Sequence, residues 1–410
     1  MQPPVSATHD LAHKPSERTD LAILIMAVAA FIIVTTEFLI LGLLPAIAKD
    51  FNISISAAGQ VVTLFAFTVM LCGPALTAKL ARFDRKKLFV CLLLVFVAAN
   101  ALAALSTDIW ILAIARFIPA LALPVFWGTS SETAAQLAGP AHAGKAVSKV
   151  YMGISAALVF GIPLGTLASD SLGWRGSFWL LSLLSLVIAI LMQIFMPRLP
   201  ATPRRKDGDK QTQILKEPHF IAHIGLSILA FTAMFTAYTY LADMLEKIAG
   251  IPSAQVGWWL MGFGGVGMLG NHLGGKLVDR NPLGAMMLFL AVLSASMLAA
   301  IPLASSHGWL AVSLASWGIA YTALFPVCQV RVMLAGEKAQ ALAATMNISA
   351  ANAGIGLGAI GGGIGIQRFG LASLPLIAAA IGAIAILWAA LMLRGTGSRK
   401  VNKSREPVER

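Results

Sequence analysis

Twelve stretches of this chain are apolar over lengths that suit a helix crossing a bilayer: 21–48, 58–80, 88–106, 109–134, 146–169, 177–196, 219–245, 254–278, 284–304, 308–334, 341–367 and 371–394. About twenty helical residues, at ~1.5 Å each, cover a hydrocarbon core roughly 30 Å thick. Backbone groups in lipid must satisfy one another, which leaves helices or a closed barrel. Barrel strands run to about ten residues and alternate in polarity. These stretches are longer and uniformly apolar. The sequence therefore predicts an all-α polytopic membrane protein with twelve transmembrane helices. Composition agrees: 58% of the 410 residues are hydrophobic and only 12% are charged, about half the charged fraction of a soluble domain.

The longest polar stretch between spans is 197–218, PRLPATPRRKDGDKQTQILKEP. It separates six spans from six. The expected organisation is a polar tail at 1–20, a six-helix bundle at 21–196, the linker at 197–218, a second bundle at 219–394 and a tail at 395–410. The first twenty residues carry no small-residue cleavage site, so the first span is expected to persist. A shift of 198 positions places Gly59 on Gly257 and Arg82 on Arg280, a weak internal symmetry of the kind seen in chains built from repeated halves.

Lys and Arg orient the bundle. With the N-terminus placed in the cytoplasm, 25 of the 30 basic residues fall in or next to the cytoplasmic regions and 4 in or next to the outer ones, and the remaining one, Arg116, lies deep in a span. That asymmetry predicts both termini and the linker in the cytoplasm. It also accounts for most of the net charge of +12 without a nucleic-acid partner.

Several motif matches lack the context their chemistry needs. GVGMLG (265–270) and GLGAIG (356–361) fit GxGxxG but sit inside apolar spans. No strand precedes them, so close helix packing is the better account. GPAHAGKA (139–146) ends in Ala146, where a phosphate-binding loop needs Ser or Thr for Mg²⁺. Cys72, Cys91 and Cys328 lie in apolar segments and read as buried packing thiols. Neither a metal-ligand spacing nor a catalytic grouping of side chains emerges, so neither an enzyme nor a bound cofactor is expected. An ion gradient, the proton gradient first, is the expected energy source.

One residue in the first span stands against this background. Glu37 is the single charge in LAILIMAVAAFIIVTTEFLILGLLPAIA (21–48), where an ionised carboxylate costs ~2.5 kcal/mol or more. Arg116 in the fourth span lies about seven residues from the same membrane face as Glu37, about 10 Å deep. A Glu–Arg pair at one depth costs less than two separated charges. Two readings follow: a static ion pair that fixes the bundle, or a site that responds to protons or substrate. Burial penalises the charged carboxylate and a neighbouring arginine favours it, so a site balanced between them can exchange a proton as water enters and leaves. Asp243, near the outer end of the seventh span, is the next candidate acid.

The fifth span carries GISAALVFGIPLGTLAS. Gly153, Gly161 and Gly165 offer a face of small residues on which another helix can close. Pro163 between the last two removes a backbone hydrogen bond and bends the helix. This segment reads as a hinge or seal, or as plain packing. After the eighth span, GGKLVDRNP places Asp279 and Arg280 beyond Gly275, which suits a charge latch at the cytoplasmic surface.

These residues resemble the major facilitator superfamily. GKLVDR looks like that superfamily's loop motif G-x-L-x-D-R. ARFIPA around Arg116 resembles its fourth-span R-x-x-Q-G, with Pro119 and Ala120 in place of Gln and Gly. GIPLG resembles the fifth-span G-P-x-x-G of its proton-coupled exporters, with Ile162 inserted. In the first half the loop reads AKLARFDRKK, so Arg82, Arg85 and Lys86 stand in the latch while its acid is displaced to Asp84. TTEFLILGLLPAIAKDFNIS, FWG (126–128), TAYTYLADMLEKIAG and WGIAYTALFPVCQVRVM are similar to the bacterial sugar-efflux branch, of drug:proton antiporter type, which includes purine-nucleoside exporters.

The resemblance covers about residues 20 to 395. It implies a monomeric multi-pass transporter of the bacterial inner membrane, working by alternating access on a small-molecule substrate and protons. It places the substrate cavity between the halves, with Thr35, Thr36, Trp127, Tyr238, Tyr240, Trp317, Tyr321, Gln329, Asn347, Asn352 and His272 as candidate lining residues. The scarcity of other charges favours neutral or weakly cationic substrates: sugars, nucleosides or amphiphilic drugs.

Overall fold

The structure is a computed structural model; it describes residues 17–80, 82–139, 142–199 and 212–403, apart from some side chains. Most of the linker expected at 197–218 therefore lies outside the described residues, as do the tails 1–16 and 404–410.

Every regular element is helical. The first half comprises α1 (Glu17–Asp50), α2 (Ile55–Leu80), α3 (Arg85–Ala104), α4 (Ile109–Ala138), α5 (Ala143–Ala156), a π-helical turn (Ala157–Gly161) and α6 (Ile162–Phe195). The second half comprises α7 (Pro218–Tyr238), α8 (Leu241–Lys247), α9 (Ser253–Val278), α10 (Pro282–Ala300), α11 (His307–Ala335), α12 (Gln340–Phe369) and α13 (Leu374–Lys403).

Ten helical stretches are long and apolar enough to cross a membrane by length and composition alone. One of them, Ala146–Phe195, is 50 residues long and turns back at Gly173, whose φ of 69° only glycine adopts freely. It thus contains two crossings. The glycine-rich α9 has 26 residues, about 39 Å of helix, and supplies another. The described residues thus form the twelve-helix bundle that the hydropathy pattern predicts.

The turns follow from local chemistry. Asp84 caps α3 by accepting from the Lys87 N–H at 3.0 Å. Asp108 caps α4 through the N–H groups of Trp110 and Ile111. Asn281 caps α10 ahead of Pro282. These oxygens satisfy donors that a helix start leaves without partners. At the end of the bundle remote from the linker, Arg175 ties three turns together. It pairs with Asp50 at 2.6 Å, donates twice to the Ser106 carbonyl and lies 4.3 Å from the Trp174 ring.

The halves meet along two seams, α2 against α12 and α9 against the α5–α6 segment. Hydrogen bonds cross the first seam toward the linker-remote end: Gln367 Nε2 donates to Ser56 Oγ at 3.1 Å and Thr63 Oγ1 to the Gly356 carbonyl at 3.4 Å. In the second seam Gly264 lies against the Leu158 carbonyl, where a Cβ would come within 2.6 Å of the oxygen. Nearer the linker, Leu71 on α2 and Met268 and Leu269 on α9 are exposed.

Two expectations need correction. Cys91 is exposed, whereas Cys328 is buried and Cys72 intermediate; Cys91 faces outward from the bundle and packs nothing inside it. Arg85 and Arg331, grouped with the cytoplasmic loop charges, are both fully buried inside helix packing. An arginine at a helix end can run its aliphatic stem back along the bundle and reach polar groups there.

Candidate functional site

Arg116 is 1% exposed. One terminal nitrogen donates to the Thr36 carbonyl at 2.5 Å and the other to the Glu37 carbonyl at 2.7 Å. Its guanidinium carbon sits 4.5 Å from the centre of the Phe65 ring on α2. A helical carbonyl has two lone pairs and the helix uses one, so α1 can serve the arginine without breaking its own ladder. Two charge-assisted bonds at about 1.5–3 kcal/mol each, with a ring contact of about 0.5–2 kcal/mol, are enough to offset the ~2.5–3.5 kcal/mol of placing an arginine at mid-membrane.

Glu37 and Arg116 are thus brought together as expected, but not as a carboxylate–guanidinium pair. The arginine is held by the backbone, and the Glu37 carboxylate forms no ion pair or hydrogen bond among the described residues. Side-chain direction decides this: a carbonyl points along the helix axis, whereas a side chain leaves it sideways.

A small cavity opens at this point between the halves. Glu37, Phe38, Val62, Phe65, Ala66 and Arg116 line it from the first half, Asn352 and Ile355 from the second. Arg116 Nε and Asn352 Oδ1 are buried without a hydrogen-bond partner among the described residues. Thr36 is fully buried; besides presenting its carbonyl to Arg116, it accepts from Asn100 of α3 at 3.2 Å.

An aromatic cluster borders the cavity on the second-half side. Phe38 stacks on Phe235 at 6.1 Å, and Phe235 contacts Tyr238 and Tyr321. Those two tyrosines lie 4.4 Å apart, centre to centre. Trp317 packs behind Phe263, fully buried. Tyr238 and Tyr321, expected to line the cavity, thus stand behind Phe38 and Phe235.

Other expected lining residues lie elsewhere. Tyr240 is fully buried in the α2–α12 seam; its ring lies against Gly59, Gly362 and Gly363, and its hydroxyl donates to the Ala359 carbonyl at 2.8 Å. It plugs the seam because three glycines leave room for a ring. Trp127 packs between Phe126 and Tyr151, 5.3 and 5.5 Å away, bridging α4 and α5. Gln329 and Asn347 bond to each other at 2.7 Å in a separate polar network around Arg331. His272 is exposed on α9.

The fifth-span glycines form the expected packing face, and its partner is α1. Gly153 meets the backbone at Ala27–Phe31, Gly161 meets Thr35 and Gly165 meets Leu39. The π turn Ala157–Gly161 ends beside Pro163, whose missing N–H breaks the regular ladder. The opposite side of this segment carries the seam with α9, so it is held between α1 and the second half.

At the linker end, Arg85 donates to Glu132 of α4 at 2.8 Å. Glu132, not Asp84, is its acidic partner, and Asp84 acts as a helix cap. Arg82 is exposed and Lys86 half-buried. Asp279 and Arg280 are exposed beyond Gly275 and form no ion pair among the described residues, so the second-half latch is not closed here. Glu132, His223 and Arg331 all fall within the boundaries drawn from hydropathy. A charged or imidazole side chain inside a span was the signal that could have found them. Phe65 gave no signal, since an aromatic inside an apolar span looks like any other.

A long all-helical bundle, with an ionisable cluster at the contact of two six-helix halves, defines a polytopic membrane transporter. Comparison with known proteins identifies its family. The model of the Major Facilitator Superfamily matches residues 26–337 and 251–410, and the chain belongs to that family. It is 33% identical over 366 residues to the inner membrane transport protein YdhP of Escherichia coli (strain K12), covering 89% of this chain and 94% of that one. It is 31% identical over 393 residues to the MFS-type transporter YtbD of Bacillus subtilis (strain 168), covering 95% and 97%. Among solved structures, a bacterial homologue of the human lysosomal transporter Spinster superposes with a TM-score of 0.75 at 15% identity, over 96% of this chain and 100% of that one. A D-xylose–proton symporter superposes with a TM-score of 0.68 at 17% identity, over 90% and 97%. At those identities the likeness is one of fold.

Proposed function

We propose that this transporter exports a small neutral or weakly cationic solute, a sugar or sugar-like compound, in exchange for protons by alternating access. The observation that carries the reading is the Glu37 carboxylate. It lines a cavity between the halves, next to Arg116, and no group among the described residues is bonded to it. A buried carboxylate without a partner is costly when charged. It is tolerable while the cavity is wet and must be neutralised when the cavity dries. Proton occupancy is thereby tied to which side of the bundle is open, and a substrate that bonds the same carboxylate becomes linked to the proton reciprocally. Arg116, held by α1 carbonyls, positions the site and supplies a donor. The resemblance of GIPLG to the exporters' fifth-span motif supports export over uptake.

The aromatic cluster of Phe38, Phe235, Tyr238 and Tyr321 favours a second reading of the substrate, an amphiphilic drug or a purine nucleoside, since rings stack on flat or apolar groups. The charge asymmetry supports an orientation with both termini and the 197–218 linker in the cytoplasm of a bacterium, the protein lying in its inner membrane as a monomer. In that orientation the bonded end of the seams faces outward, and the structure is read as open toward the cytoplasm. Proteoliposomes with an imposed pH gradient test the central claim. Substrate-dependent proton flux is expected; solute flux without proton movement would reduce the protein to a facilitator. A cysteine at Asp108 or Asp170 should react with an impermeant reagent in intact cells and one at Asp209 should not; labelling at Asp209 would reverse the orientation.

A further inference from the structure

Asn352 lies on α12, 5% exposed, and lines the cavity opposite Glu37 and Arg116. Its side-chain NH₂ donates to the carbonyl of Ile348, one turn earlier, at 3.1 Å. Only the nitrogen end of the amide can make that bond, which identifies the other end as Oδ1. That oxygen is buried and has no partner among the described residues. A buried acceptor left unmet destabilises a protein, and such groups call for an explanation.

The three groups at the cavity that have no partner among the described residues have a definite polarity. Glu37 and Asn352 Oδ1 accept, and Arg116 Nε donates. A ligand that satisfies all three needs at least two hydrogen-bond donors and one acceptor. Neighbouring hydroxyls provide both, because each donates and accepts. A hydrocarbon, a fully O-methylated compound or a quaternary cation cannot reach the two acceptors with a hydrogen bond.

Resting on the reading of this cavity as the substrate site, we propose that Asn352 is a specificity-determining residue whose Oδ1 accepts a hydrogen bond from a hydroxyl or N–H of the substrate, selecting polyhydroxylated or N–H-bearing solutes. It is the second half's polar contribution at a cavity whose other polar groups come from α1 and α4. A bound solute therefore bridges the two halves, and its donors read both.

The proposal is tested on the purified full chain with Asn352→Leu, which removes the acceptor at similar volume, and Asn352→Asp, which keeps it. Thermal unfolding without ligand comes first. Asn352→Leu should unfold at the wild-type temperature or above, because an unmet buried acceptor has been removed. A clear fall in that temperature would make Asn352 an ordinary structural residue and overturn the proposal. Calorimetric titration follows, with a set of monosaccharides and purine nucleosides and the fully methylated derivative of each. Donor-bearing compounds should bind the wild type and their methylated derivatives should not. Asn352→Leu should weaken the donor-bearing compounds about tenfold or more, the size of one lost hydrogen bond in a dry site, and Asn352→Asp should stay within about threefold. Unchanged binding in Asn352→Leu, binding by methylated compounds alone, or no binding by any donor-bearing compound overturns the assignment. Donor-selective binding that persists in a protein showing no proton-coupled flux would sink the coupling reading above and leave this one standing.

Discussion

Two of the buried arginines, Arg116 in the first half and Arg331 in the second, sit in contrasting surroundings. Arg116 bonds to two backbone carbonyls of α1 and faces a cavity with an acid beside it. Arg331 sits in a network of neutral side chains and backbone, although its Nε, like that of Arg116, has no partner among the described residues. It contacts His223 Nδ1 at 2.9 Å, the His223 carbonyl at 2.9 Å and Ser227 Oγ at 2.7 Å. A guanidinium only donates, so His223 accepts at Nδ1. Ser227 in turn donates to Asn347, and Asn347 to Gln329. Every bonded partner of Arg331 in this network is neutral, whereas the polar chain around Arg116 stops at an open space. The same residue type thus knits α7, α11 and α12 together in one half and leaves chemistry available in the other.

That contrast can be broken at its strongest point with matched neutral substitutions. Glu37→Gln should abolish uphill export driven by a pH gradient in vesicles while substrate binding or exchange remains. His223→Gln in the other network should leave the gradient dependence intact and lower thermal stability instead. The reverse pattern would place coupling in the second half, and wild-type proton dependence in Glu37→Gln would make Asp243 the next acid to test.

A smaller effect is expected from removing each arginine. Arg331→Met deletes three contacts and leaves the His223 and Ser227 groups buried without a donor, a loss of about 2–5 kcal/mol visible as a lower unfolding temperature and poorer yield. Arg116→Met leaves two carbonyls that keep their helical bonds, so its stability loss should be lower, about 1–3 kcal/mol, while transport falls steeply. Equal destabilisation by the two substitutions would erase the distinction between a knitting and a functional arginine.

The smallest change concerns packing near the cavity. A Cβ on Gly161 would overlap Thr35, the neighbour of the Thr36 carbonyl that holds Arg116. Gly161→Leu should push α1 away from the fifth-span segment, lower transport rates several-fold in the same vesicles and leave expression largely intact. Wild-type rates would mean that this glycine face tolerates displacement without affecting the site.

The class of fold could be read from the chain because lipid permits so few backbone solutions. Twelve long apolar stretches leave only helices, and the polar break after residue 196 is where the sequence predicts a division. Glu37 and Arg116 were legible for the same reason: a charge in an apolar run has no inexpensive explanation, and equal depth named the partner. Their mode of contact was not legible, because a carbonyl and a carboxylate of one residue point in different directions. Nor were Tyr240 as a seam plug or Glu132 as the partner of Arg85. Tyr240 takes its place from three glycines far away in sequence, and Glu132 reaches Arg85 across two helices.

Hydropathy and charge, acting residue by residue, thus determined by themselves that this protein spans a membrane with twelve helices and that an acid and a base meet at one depth. Only the tertiary structure decided which polar groups are satisfied and which are left open. Satisfaction depends on distances and directions between atoms on different helices, and those are set when α1, α2, α4 and α12 close around the same small cavity.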